Sequence, residues 1–276
     1  VDHDPKEEWV ALDDGCGATS PIAPYAIAAL CEFGLKTALD EGMWKGESHT
    51  NKFWKNAQES WEPLVWPARG IVGPIKALPT IEPETVLVWS GNFMHGYYGS
   101  DLPAIRAAGL VNMSPGALVD MLMDSTRVKE YNTMSLGRKD MLVLQEDMDP
   151  DGPFRGITKI VQSETQPPMI RKTVQFTTIL HARKLPNDGG YLLISRAVHH
   201  GAPSILDSNI IRSEILMGLN VIRSIEGEPN QSFMINVNHI RSPLIPFFVA
   251  KKLGLSAASN FIVDMRETGA KKVAAK

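Results

Sequence analysis

The chain has 276 residues, a formal net charge of −3 and 43% hydrophobic residues, which suits one large folded domain or two small ones and argues against disorder. That weakly acidic balance lacks the basic footprint of a nucleic-acid binder, so neither DNA nor RNA is an expected partner. The longest apolar runs, residues 26–31 and 244–250, fall far short of the ~20 residues a membrane-spanning helix needs, so a protein not integral to a membrane is expected.

Residues 1–23 open acidic and polar and then carry Gly15, Gly17 and Pro21, the composition of a flexible arm. Through residues 24–44, Ile27, Leu30, Cys31, Leu35, Ala38 and Leu39 recur at helical spacing with Glu32, Lys36 and Asp40 opposite, which predicts an amphipathic helix. The stretch up to residue 83 is rich in Trp and Pro and predicts surface packing without a long regular element. From Glu84 the pattern changes to short runs of Val, Ile, Thr and aromatics separated by turn residues, the signal for strands. Two strands are expected at 86–89 and 105–111. Ser114 can then cap a short helix with Pro115 at its first position and Leu118, Val119 and Leu122 as its apolar side.

Six further strands are expected at 133–146, 156–163, 169–183, 191–198, 210–223 and 232–240. Pro150-Asp151-Gly152 and Pro186-Asn187-Asp188-Gly189 are turn chemistry that joins neighbouring strands as antiparallel hairpins. Pro243 and Pro246 open a closing helix that reaches about Arg266, with Phe247, Phe248, Leu253, Phe261, Ile262 and Met265 as its apolar material. Helix, strands, short helix, long antiparallel meander and helix make an α+β order.

Two arginines stand in otherwise apolar strands, Arg196 in LLISRAV and Arg212 in NIIRSEIL. A buried charge needs a partner, which a ligand headgroup could supply, but strand alternation also permits either side chain to lie on the outer surface or to pair with Glu214. Asn236 and Asn238 share one face of the last strand and are candidates to line an interior. Asp147, Asp149, Asp151 and Gly152 match the first half of a calcium loop, but Thr158 stands where the bidentate Glu belongs and an acidic hairpin turn accounts for the same residues. His199 and His200 point to opposite faces of a strand and have no second ligand pair. No nucleophile elbow, zinc helix, phosphate loop or dinucleotide fingerprint occurs, so no catalytic residue, metal or cofactor is expected and the chain reads as a non-enzyme. Cys16 and Cys31 are too few for a disulfide framework, so a reducing compartment is expected: the cytoplasm or, because the first residue is Val, an organelle lumen or stroma after removal of a presequence.

A curved antiparallel sheet that grips a long C-terminal helix can enclose an apolar space, and the order of elements matches one family of that shape. On four segments the chain resembles the START (StAR-related lipid transfer) domain: residues 114–131, GITKIVQSETQPPMIRKTVQF from Gly156, GYLLISRAVHH from Gly190, and residues 211–246. The chain departs from the family where Arg171-Lys172-Thr173-Val174 carries no Asp ahead of the strand, and where Ile240 and Pro243 replace an Asp and a Gly before Pro246.

The resemblance implies a helix-grip fold: a curved antiparallel β-sheet wrapped around a long C-terminal α-helix with an internal hydrophobic cavity. It implies a START-like domain over 24–268 (helix and Trp/Pro-rich segment to 83, sheet and lid helix from 84), with the flexible arm over 1–23 and a basic tail over 269–276 outside it. It implies binding and intermembrane transfer of a single lipid or sterol-like ligand, with transient contact at a membrane surface where Lys251 and Lys252 meet anionic headgroups. Met169 would lie on one rim loop, Ile205 and Leu206 on another, and Leu244, Phe247, Phe248 and Leu253 would face inward from the lid. The competing expectation is an interaction subunit of a larger assembly whose protein partner docks on residues 44–83, where Trp44, Trp54, Trp61 and Trp66 are concentrated.

Overall fold

A computed structural model describes residues 22–39, 44–46, 73–76, 84–91, 104–168, 170–198, 208–242 and 247–274. The first helix, α1 (Pro24–Leu39), buries Ala26, Ile27, Leu30, Cys31, Gly34, Thr37 and Ala38 as one stripe. It does not extend to residue 44 as its periodicity predicts. Trp44 opens a short strand, β1 (Trp44–Gly46), paired antiparallel with β2 (Val86–Gly91). Tertiary contacts cause the difference: the Trp44 indole N–H donates to the Thr37 carbonyl at 3.0 Å, and the ring lies against the Arg106 guanidinium at 4.6 Å. Arg106 is fully buried between Trp44 and Trp89, whose ring is 4.2 Å away, and donates to the Ala38 carbonyl at 3.0 Å. Trp44, expected on a partner surface, thus packs half-buried within the domain. Trp54, Trp61 and Trp66 lie outside the described residues.

After β3 (Ala104–Val111) comes α2 (Pro115–Met123), where the Ser114 side chain accepts from the Ala117 N–H at 3.3 Å and Pro115 takes the first position, as predicted. A 3-10 turn (Ser125–Arg127) leads into the single-turn helix α3 (Val128–Tyr131). The strands β4 (Ser135–Gln145), β5 (Ile157–Thr165), β6 (Thr173–Lys184) and β7 (Gly190–Ala197) then form the meander. The Asn187 and Asp188 backbones adopt φ of 54° and 55° in the β6–β7 turn, the left-handed geometry that Asn and Asp tolerate. Gly190 follows at φ 113°, and a Cβ there would stand 1.9 Å from the Ile222 carbonyl oxygen, so only glycine fits.

The strand expected over 210–223 is two elements, β8 (Ile210–Arg212) and β9 (Glu214–Ser224). Residues 173–175 of β6 run beyond the end of β7, and β8 pairs parallel with that vacated edge. Likewise β6 starts at Thr173, not 169, because Pro167 and Pro168 form a turn in which the Ile170 N–H donates to the Pro167 carbonyl at 3.1 Å. Finally β10 (Ser232–Arg241) leads to α4 (Phe247–Ala274), which continues past Arg266 into the residues read as a tail. The sheet order is β1-β2-β3-β10-β9-β7-β6-β5-β4, antiparallel along the path.

Alternation along each strand divides the apolar residues between two layers. On the outer face Trp89, Leu192, Ile194, Leu219 and Val237 pack with α1. On the inner face Val88, Ala107, Leu193, Ile222 and Met234 pack with α2, α3 and α4. The C-terminal half of α4 is pinned there by Arg266, which donates to three backbone carbonyls: Leu110 at 2.5 Å, Glu84 at 2.7 Å and Thr85 at 2.8 Å. Burial lowers that guanidinium to about 10, which still leaves it charged at neutral pH. Thr268 adds a bond to the Glu130 carbonyl at 2.9 Å, and Phe261 meets Tyr131 edge to face at 6.1 Å.

Two predictions follow from this packing. Arg266→Met leaves three carbonyls without their donor and lowers unfolding free energy by about 3 kcal/mol, read as a shifted urea midpoint at constant slope. The second concerns His181 on β6, which is buried with Nδ1 2.9 Å from the Thr158 hydroxyl; burial chiefly, with the Arg183 charge, holds it down at about 4. The unfolded chain takes that proton near pH 6.5, so the contribution of His181 is complete above that pH and is lost as acid approaches pH 4. A fall of roughly 3 kcal/mol in urea-derived stability over this window is expected, and His181→Leu removes that part of the slope.

Candidate ligand-binding site

The inner wall can be followed strand by strand in register. One row runs Lys159, Leu180, Ser195, Gly218, Asn238, Ile105 and Ser90, from β5 to β2. The next runs Ile157, Ala182, Leu193, Asn220, Asn236, Ala107 and Val88. The two faces of these central strands differ in accessibility. Outer positions Ile179, Ile194, Leu219 and Val237 are sealed at 0–1% exposure. Inner positions Leu180, Ser195, Ala197, Asn220 and Asn238 are only half-buried, although α4 lies over the same face. Toward the α2 end the inner wall is closed, with Leu193, Ile222 and Met234 at 0–1%. Toward the other end it carries a separate apolar group, Val174, Phe176 and Ile211 with Ile170 and Ile215.

Three asparagines form the polar part of the wall. The Asn238 amide donates to Asn236 Oδ1 at 2.6 Å, and Asn236 donates to Asn220 Oδ1 at 2.7 Å and to the Leu219 carbonyl at 3.5 Å. Among the described residues the inward basic groups are engaged. Lys159 donates to Asp140 Oδ2 at 2.8 Å, and the other Asp140 oxygen accepts from the Ser125 hydroxyl. Arg138 donates to the Leu122 carbonyl at 2.7 Å, Ser125 Oγ at 2.9 Å and the Tyr131 hydroxyl at 3.4 Å. Burial raises the Tyr131 hydroxyl above its ordinary value. Cys31 sits on α1 beneath the outer face, where burial pushes its thiol up to about 11, so it is protonated at neutral pH and a poor nucleophile.

Of the residues singled out from the sequence, Asn236 and Asn238 are brought together on the inner wall. Arg196 is not on it. It shares the outer parity of Leu192 and Ile194 and donates to the Leu216 carbonyl at 3.1 Å, so backbone and not a ligand takes its donor. Arg212 is exposed on β8, and Glu214, its expected alternative partner, pairs with Arg241 at 3.3 Å. Phe248 is 73% exposed and does not face inward, while Leu253 is partly buried on α4. Met169, Ile205, Leu206 and Leu244 lie outside the described residues, as does the side chain of Phe247. The acidic turn at 147–151 is organised by Gln145, whose amide donates to Asp147 Oδ1 at 3.0 Å and to the Asp149 carbonyl at 3.1 Å.

Asn220 was missed by sequence reasoning. Its signal was available: in GLNVI it occupies the parity of Ile222, a polar residue in an otherwise apolar run. What the sequence could not supply was the register that sets it opposite Asn236.

No family model and no curated protein matches the sequence. Solved structures do. The chain is similar to human STARD10, at 13% identity over 95% of this chain and 85% of that one, with a TM-score of 0.62. It is similar to human StAR-related lipid transfer protein 5, at 11% identity over 90% and 97%, TM-score 0.65. It is also similar to a STAR-related lipid transfer protein fragment from Xanthomonas axonopodis, at 14% identity over 72% and 99%, TM-score 0.51. The chain has the START-like helix-grip fold, an α+β architecture in which a large curved antiparallel sheet packs with a long C-terminal helix.

Proposed function

We propose that this chain binds one lipid between the inner wall and the N-terminal half of α4, and carries it between membranes without chemical change. The observation that carries this reading is the accessibility contrast: central strands sealed on one face keep half-buried Leu180, Ser195, Ala197, Asn220 and Asn238 on the other. Lipid transfer is named in the structures it resembles and supports the same reading. Apolar wall is enough for affinity, since each buried methylene contributes about 0.8 kcal/mol and a dozen about 10 before ordering costs.

Entry is at the beginning of α4. Arg266, Thr268 and Phe261 hold its later turns, whereas near its start Gly254 faces Ile105 without a side chain of its own. Phe248 and Lys252 are exposed there, an apolar and a basic group suited to the surface of an anionic membrane. No helix among the described residues is long and apolar enough to cross a membrane.

The test is extraction of the purified chain with organic solvent after exposure to mixed vesicles, with lipid counted by mass spectrometry. About one lipid per chain is expected; an empty extract overturns the reading. Ala197→Trp fills the wall from β7 and is expected to cut lipid capture about tenfold or more while the thermal midpoint is retained within a few degrees.

A further inference from the structure

Resting on that binding reading, we infer that the lipid this site takes has an uncharged head, a hydroxyl or an amide, read by the Asn220–Asn236–Asn238 relay. The relay has a direction. Asn236 directs its amide nitrogen to Asn220 Oδ1 at 2.7 Å and toward the Leu219 carbonyl, and its oxygen accepts from Asn238 at 2.6 Å. Asn220 therefore spends its oxygen on Asn236 and keeps its two N–H groups, while Asn238 spends a donor and keeps its oxygen. Among the described residues neither of these end groups makes a hydrogen bond. Both residues are half-buried on the wall opposite α4. The relay thus offers a donor at one end and an acceptor at the other, which suits a hydroxyl or amide head that both accepts and donates.

Charge decides against the alternative. A phosphate head drawn out of water needs a cation that is not already engaged. Lys159 is held by Asp140, Arg138 is spread over Leu122, Ser125 and Tyr131, and Lys251 at the start of α4 is also partnered. Arg196, the cation that the sequence offered, faces the other side of the sheet. Among the described residues a phospholipid would meet amides at the relay and basic groups that already have partners, whereas a sterol, a diacylglycerol or a ceramide would bring no charge to match.

The experiment uses the full chain incubated with phosphatidylcholine vesicles that carry minor, equal fractions of phosphatidylserine, cholesterol, dioleoylglycerol and ceramide. The protein is re-isolated by size exclusion and its lipid quantified by mass spectrometry. Enrichment of one of the three neutral lipids by about tenfold or more over both phospholipids is expected. Asn220→Leu removes the donor end together with the acceptor for Asn236, and Asn238→Asp places a negative charge at the acceptor end while giving up the donor to Asn236. Each is expected to lower neutral-lipid capture about tenfold with the thermal midpoint lowered by no more than several degrees. Should one variant fold poorly, the other still gives the answer, because they act at opposite ends of the relay. Preferential capture of phosphatidylcholine or phosphatidylserine, or neutral-lipid capture unchanged in the folded variants, overturns this inference and leaves lipid binding standing. Capture of no lipid from any vesicle overturns the binding reading beneath it.

Discussion

Side chains on a β-strand alternate between two faces, and in this molecule the two faces meet different surroundings. On β7 the outer set of Leu192, Ile194 and Arg196 is buried, whereas the inner Tyr191, Ser195 and Ala197 are half-buried around a buried Leu193. A shift of one residue in register would send Asn220 and Asn236 into the apolar layer under α1 and bring Leu219 and Val237 to the inner wall. Burying unpaired amides there would cost several kcal/mol in total, so the pairing of β9 with β10 supports both the core and the candidate site.

The second constraint is the seating of α4. A helix laid on a sheet can slide unless something polar fixes its position, because apolar contact is not directional. Arg266 does this by reaching past the helix to the backbone of β3 and of the two residues leading into β2, and Gly109 on β3 leaves room for it: a Cβ there would lie 2.7 Å from the guanidinium. Gly269 allows an equally close approach to the Asn112 carbonyl one turn later. One end of the helix is therefore held by directional bonds to backbone. In the proposed reading the opening is at the Phe248 end, beside the half-buried part of the inner wall.

Much of this was legible in the chain. The strands of the meander, the Ser114 cap, the two turns and the shared face of Asn236 and Asn238 follow from local chemistry, in which each residue answers to neighbours a few positions away. The assignment of Arg196 to a face was not legible, since alternation alone gives two parities and the strand's neighbours decide which one meets α1. Trp44 continued a helical pattern by composition, yet Arg106, distant in sequence, drew it into the sheet.

What the sequence by itself determined is therefore most of the elements, their order and the amphipathic stripe or alternation of each, because propensity and period are properties of short windows. Only the tertiary structure decided that β8 takes the edge left free beyond β7, that Asn220 stands opposite Asn236, and that the basic groups on the inner wall are matched. These are relations between segments far apart in the chain, set by strand register and helix seating, and no local pattern encodes a distance between residues that meet only after folding.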